Sequence, residues 1–122
     1  MATCDFLVVQ AYDGIVLARP EKDRLLDAAA IASLSDALIA LVDRYPRISL
    51  ILDLGAVQAL SSAMLGKLVA LHKAVKAAKG RMAVTGVKTS IMPLFTVTRL
   101  DKVFEFFPEA QEALLLYRRK PL

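Results

Sequence analysis

"ISLILDLGAVQALSSAMLGKLVALHKAVKAAKGRMAVTG", residues 48–86, decides how this chain folds. It opens on a near-continuous apolar run, "ISLILDL", of the kind found in a strand covered on both faces. A short loop leads into a segment of helical periodicity that begins at Ser61 or Ser62 and runs to about Lys79, with Gly80 as its expected stop. "RMAVTG" then reads as a second short strand. Strand, helix and strand in that order make a parallel pair joined by a right-handed crossover.

The flanks extend the same alternation. "DFLVVQAYDGIVLA", residues 5–18, holds two β-type runs around Tyr12-Asp13-Gly14, and Asp-Gly is a strong hairpin signal. Cys4 falls in the terminal strand on this reading. "RPEKDRLLD" reads as a polar connection. Asp27 is a good N-cap for "AAAIASLSDALIALVDRY", where Ile31, Leu34, Leu38, Leu41 and Val42 recur at helical spacing. Pro46 prevents that helix from continuing. Beyond residue 86, "KTSIMPLFTVTRL" is a weaker, Pro-interrupted helix, "KVFEFF" a strand, and "PEAQEALLLYRR" a final helix with Pro at its start. The expected order is ββαβαβαβα. It predicts an α/β fold over residues 1–122 as a single domain, with a mixed, mostly parallel sheet, an N-terminal β-hairpin and helices packed on the sheet. In such sheets functional groups gather beyond the carboxyl ends of the strands. The loop carrying Ser61 and Ser62 lies at such an end.

Composition narrows the function classes. Of the 122 residues 57% are hydrophobic, which is enough for a real core. No apolar run approaches the roughly 20 residues that span a bilayer. "MATCDFLVV" has no basic region ahead of its apolar stretch, so a soluble cytoplasmic protein is expected. The net charge is +4, but the basic residues are scattered except in "YRRKPL" and no aromatics interleave with them. That disfavours nucleic acid as a partner. A lone Cys4 and a lone His72 give no disulfide and no zinc spacing. No phosphate loop is present, so no cofactor is expected. His72 lies ten residues after Ser62 on one predicted helix, roughly 15 Å along its axis and too far to activate the hydroxyl. Asp53 lies inside a strand and has no acidic pair on the first strand, which disfavours a receiver domain. No enzymatic activity is expected.

Helical phase sorts the residues after Ser62. At about 100° per residue, Met64, Leu65, Leu68, Leu71, Val75 and Ala78 share a core-facing arc. Ser62, Gly66, Val69 and Lys73 share another, with Ala70 beside them. An exposed helical glycine costs about 0.8–1 kcal/mol relative to alanine. Its physical use is close approach of another body beside Ser62. Ser62 also sits where unpaired N–H groups and the helix dipole tolerate a phosphate. Geometry therefore offers two readings: a pair of helix-capping serines, or a docking face with a switch at its end.

The segment "LILDLGAVQALSSAMLGKLVALHKAVKAAKGRMAVTGV" resembles the STAS domain of bacterial anti-sigma factor antagonists. That pattern has an "LDL"-type strand, a short loop, a serine at a helix start, Leu-Gly, and a helix ending before a further strand. "VTRLDKVFEFFPEAQEAL" resembles the family's tail, and "LLDAAAIASL" its segment before the first helix. The likeness extends from about residue 14 to 115. It implies a phosphoacceptor at Ser62, with Ser61 as the alternative, modified by a partner serine kinase of the histidine-kinase-like ATPase type. That kinase is also the anti-sigma factor, and a PP2C-type phosphatase reverses the step. Ser61 stands where the family has Asp, Ala63 where it often has a second hydroxyl, Met64 where it has a first Gly, and Gly66 where it has a second. Asp27 matches an acid near the phosphosite. The implied partner-binding set is Asp27, Ser61, Met64, Gly66, Val69, Ala70 and Lys73. The alternative is a non-switching STAS module in a lipid- or anion-transport complex or a sensory scaffold. A small nucleotide-binding domain is a third class that resemblance allows. Oligomeric state is left open, with the first β segment as a possible exposed edge.

Overall fold

The computed structural model describes residues 3–122. A hairpin opens the chain: β1 (Leu7–Tyr12) pairs antiparallel with β2 (Ile15–Pro20). Its two-residue turn places Asp13 at φ 50° and Gly14 at φ 85°, the left-handed pair that matches strand twist. Then follow β3 (Arg24–Leu25), α1 (Ala28–Arg44), β4 (Ser49–Asp53), β5 (Ala59–Leu60), α2 (Ser62–Ala77) and β6 (Arg81–Thr85). The chain closes with α3 (Met92–Val97), a 3₁₀ turn at Leu100–Lys102, β7 (Glu105–Phe107) and α4 (Ala110–Arg119). The main sheet runs β1-β2-β4-β6-β7, with β1 and β7 as its edges and all pairs beyond the hairpin parallel. This is the mixed, mostly parallel α/β architecture that the alternation of runs predicts.

The central strand explains the layering. Leu50 and Leu52 join the larger core, with Val16, Met82 and Val84 and the inner faces of α1, α2 and α3. Ile51 points the other way, onto Ile15, Ala83, Ala113 and Tyr117, where α4 covers the opposite face. The Tyr117 hydroxyl donates to Glu105 at 3.3 Å. Burial, the Glu105 charge and that bond all push its pKa upward against the pull of Arg81.

Several expectations need correction. Cys4 lies in a turn ahead of β1, where its carbonyl accepts the Leu7 N–H at 3.2 Å. Pro93 does not interrupt α3 but stands in its first turn, where a missing N–H has no consequence. Pro108 precedes the N-cap Glu109 instead of opening α4. The segment 19–27 is not merely a polar connection. Arg24 and Leu25 pair in parallel with Ala59 and Leu60, and Leu25 is fully buried. Two-residue strands carry too little periodicity to be read from sequence.

Gly80 is not the left-handed stop of α2. That conformation belongs to Lys79, at φ 62°. The Gly80 N–H donates to the Val75 carbonyl at 2.9 Å and the Lys79 N–H to that of Lys76 at 3.0 Å, which is a Schellman closure. Gly80 is needed because a side chain there would collide with the Ile48 carbonyl oxygen. Adjacent substitutions are therefore expected to have opposite signs in thermal unfolding. Lys79→Gly raises stability by about 1 kcal/mol by relieving a left-handed Lys. Gly80→Ala lowers it by about 1–3 kcal/mol through overpacking against the start of β4.

Candidate functional site

The β3–β5 pair brings two helix starts together. Gln58 and Ala59 donate their N–H groups to the Asp23 carbonyl at 2.7 and 3.0 Å, and the Ser61 N–H donates to that of Leu25 at 3.2 Å. Leu25 is in register with Leu60. Two residues beyond that pair stand Asp27 on one chain segment and Ser62 on the other. Each segment turns into a helix at that point. Asp27 caps α1, its Oδ2 accepting the Ala30 N–H at 2.9 Å. Its carboxylate is thus already engaged, at the exposed rim of the same end of the molecule.

The two serines differ in position and in work. Ser61 is the N-cap of α2, with extended backbone, and its Oγ accepts the Met64 N–H at 3.2 Å. Its carbonyl accepts from Leu65 at 3.2 Å. Ser62 is the first helical residue and is exposed. The N–H groups of a first turn have no intrahelical acceptor, so those of Ser62 and Ala63 face outward with the positive end of the helix dipole. A hydroxyl on Ser62 therefore projects into solvent beside free donors, whereas that of Ser61 is occupied.

The two faces of α2 follow the helical phase. Met64, Leu65, Leu68, Leu71 and Val75 are buried, and Ala78 is half-buried against the same core. Gly66, Ala70 and Lys73 are exposed, and Val69 is half-buried. Met64 corrects one expectation. It is 1% exposed, so its side chain belongs to the core and lines no docking surface. The reason is phase: two positions before Gly66 on a helix is nearly the opposite side. A methyl group built on Gly66 would meet no atom within 4 Å. No contact among the described residues requires glycine there.

Sequence reasoning missed Leu26, which is 44% exposed immediately before the α1 cap. An apolar residue at that position often staples onto the fourth helical residue, here Ile31. The pattern signals a buried contact, yet much of Leu26 stays in water at the rim shared with Ser62. His72 has a packing role. Its ring meets Phe104 edge-on with centroids 5.3 Å apart. Burial, then the Lys76 charge, holds its pKa below the ordinary imidazole value. Among the described residues no group of three His, Cys, Asp or Glu is placed to hold a metal ion. No helix among them is long and apolar enough to cross a membrane.

Three stability outcomes follow for urea or thermal unfolding. Ser61→Ala loses about 1 kcal/mol, as removal of a serine cap does. Ser62→Ala stays within about 0.5 kcal/mol of the parent, as an exposed site free of such duties does. Gly66→Ala gains about 0.8–1 kcal/mol.

Comparison with known proteins supplies the context. The fold is shared with an anti-sigma-factor antagonist STAS domain protein from Planctomyces limnophilus, at 20% identity, a TM-score of 0.79, and coverage of 90% of this chain and 96% of that one. It is also shared with the Bacillus cell fate determinant SpoIIAA in its phosphorylated form, at 14% identity, a TM-score of 0.68, and coverage of 88% and 96%. An anti-sigma factor antagonist from Mycobacterium paratuberculosis is 27% identical, with a TM-score of 0.79 and 92% of each chain covered. The model of the STAS domain family matches residues 7–113, and the chain belongs to that family.

Proposed function

We propose that this protein is a cytoplasmic anti-sigma factor antagonist whose binding to an anti-sigma factor kinase is switched by phosphorylation of Ser62. The observation that carries the reading is the division of labour between the serines. Ser61 is committed to the cap, while Ser62 is exposed at the helix start and its hydroxyl has no hydrogen-bond partner among the described residues. The antagonists among its structural neighbours support the same role, and SpoIIAA, another neighbour, is known in a phosphorylated form.

The mechanism needs little from this chain beyond presentation. The kinase brings ATP and Mg²⁺. The Ser62 Oγ attacks the γ-phosphorus, ADP leaves, and a base on the kinase takes the hydroxyl proton. The product carries about −1.5 to −2 charges at a helix start that accommodates them. The fold therefore persists in both states. What changes is the docking face formed by Gly66, Val69, Ala70 and Lys73, with Asp27 and Leu26 at its rim. Gly66 lets the partner's surface approach the helix backbone. A phosphate beside it adds bulk and negative charge at the edge of that contact. A PP2C-type phosphatase would restore the hydroxyl and the affinity.

Intact-mass analysis after incubation with candidate kinases and ATP tests the switch. A single phosphate is expected on the parent and on Ser61→Ala, and none on Ser62→Ala. In a binding assay with the same kinase, Ser62→Asp is expected to weaken affinity at least tenfold, about 1.4 kcal/mol, with thermal stability near the parent's. Equal binding by both forms would overturn the switch and leave a non-switching interaction module.

A further inference from the structure

The end of the sheet away from Ser62 holds a cleft of about 430 Å³ where β4 and β6 begin. Its walls include the Asp13–Gly14 turn, Arg47 ahead of β4, Arg81 at the start of β6, and Tyr117 and Arg118 of α4. Three arginines and one acidic side chain, that of Asp13, thus line the cleft, together with Pro121 and Leu122, and the Arg118 guanidinium lies 5.8 Å from the centre of the Tyr12 ring. The ion pair among the described residues is Arg19–Glu21, far along the chain from all three. Among the described residues, none of the three arginines has a carboxylate at ion-pairing distance.

Arg81 makes the charge imbalance more than a surface accident. It is half-buried and lies 3.9 Å from the centre of the Tyr117 ring. It donates to Ser49 Oγ at 2.9 Å, to the Tyr117 carbonyl at 3.1 Å and to the Lys120 carbonyl. Every one of those acceptors is neutral. A cation drawn partly out of water without a counter-charge is unfavourable, and two more guanidiniums nearby add repulsion. The backbone is strained at the same place. Arg47 holds φ 50°, a left-handed conformation that costs a non-glycine residue roughly 1–2 kcal/mol. Local strain of this kind clusters at ligand sites.

We propose that this cleft binds a phosphate monoester, gripped by the exposed forks of Arg47 and Arg118 over the fixed positive charge of Arg81. Guanidinium forks match phosphate oxygens two at a time. The volume lies in the range of small-molecule sites. Ile15 and Pro46 also line the cleft, giving apolar surface for the organic part of the ester. The five-residue span of β4 separates it from the Ser62 end by roughly 16 Å, so the inference does not rest on the switch.

Glycerol phosphate is the soluble probe, and vesicles of phosphatidylcholine doped with phosphatidic acid present the same chemistry as a lipid headgroup. Followed by backbone-amide NMR at low salt, glycerol phosphate is expected to shift Gly14, Arg47 and Ser49 saturably and to leave Gly66 unmoved. Glycerol alone is expected to shift none of them. Arg47→Gln and Arg118→Gln, both at exposed positions, each lower the affinity by about tenfold, the loss of one charge-assisted contact. Binding to doped vesicles without binding to the free ester assigns the site to the headgroup. Absence of saturable binding to either probe overturns the proposal, and so does binding that both substitutions leave unchanged.

Discussion

Ile48, Leu50, Ile51 and Leu52 have no exposed surface at all, and the rest of the molecule is arranged to keep them so. A strand buried on both faces must be covered twice. Leu50 and Leu52 require α1 and α2 on one side, and Ile51 requires α4 on the other. Each such side chain gains about 1.5–3 kcal/mol when removed from water, and a one-residue slip would exchange the two sets. The register with β2 and β6 is fixed by that penalty. So is the direction in which α2 must leave the sheet.

Burial of β4 places α2 against the sheet but does not fix its first turn relative to α1. That task falls to the pairing of Leu25 with Leu60. Leu25 is fully buried although its neighbours Arg24 and Leu26 are exposed. One apolar side chain thus anchors a loop whose backbone bonds, from Gln58 and Ala59 to the Asp23 carbonyl and from Ser61 to that of Leu25, align the two caps. The caps then divide the polar work locally: Asp27 serves Ala30, and Ser61 serves Met64. The candidate site is a consequence of two helix starts held side by side, with Ser62 as the hydroxyl left over.

Most of this was legible because it depends on period. The apolar run at 48–54, the phase of α2 and the Asp-Gly turn each leave a repeating or strongly typed signal. The features that escaped depend on single contacts between distant residues. Leu25 pairs with a residue 35 positions away, and nothing in "KDRLLD" announces it. Gly80 reads as a helix stop because glycine commonly takes the left-handed position. The Ile48 carbonyl claims that glycine for space instead and leaves the turn to Lys79. Met64 shows the converse failure. Matching its position to a family pattern assigned it to the surface, while its helical phase, already readable, put it in the core.

Ser61, like Ala63 and Met64, departs from the pattern this chain resembles, and at Ser61 physics separates what is kept from what is lost. Serine and aspartate are nearly equivalent as N-caps, so the Met64 N–H is satisfied either way. The geometry that presents Ser62 does not depend on the acid. What changes is charge. With aspartate at the cap, the proposed phosphorylation would take the helix start from about −1 to about −3; with serine it goes from neutral to about −2. Two exposed charges about 6 Å apart repel by roughly 0.7 kcal/mol in water. Serine at the cap would therefore spare a phosphorylated Ser62 a repulsion of that order for each phosphate charge, and leaves the unmodified helix start less acidic than aspartate would. A partner that recognises the unmodified form through basic residues loses part of its attraction, so discrimination between the two forms falls more heavily on the phosphate itself. The cap is a structural constant of this helix start, and its charge is the variable that would set how far apart the two proposed forms lie.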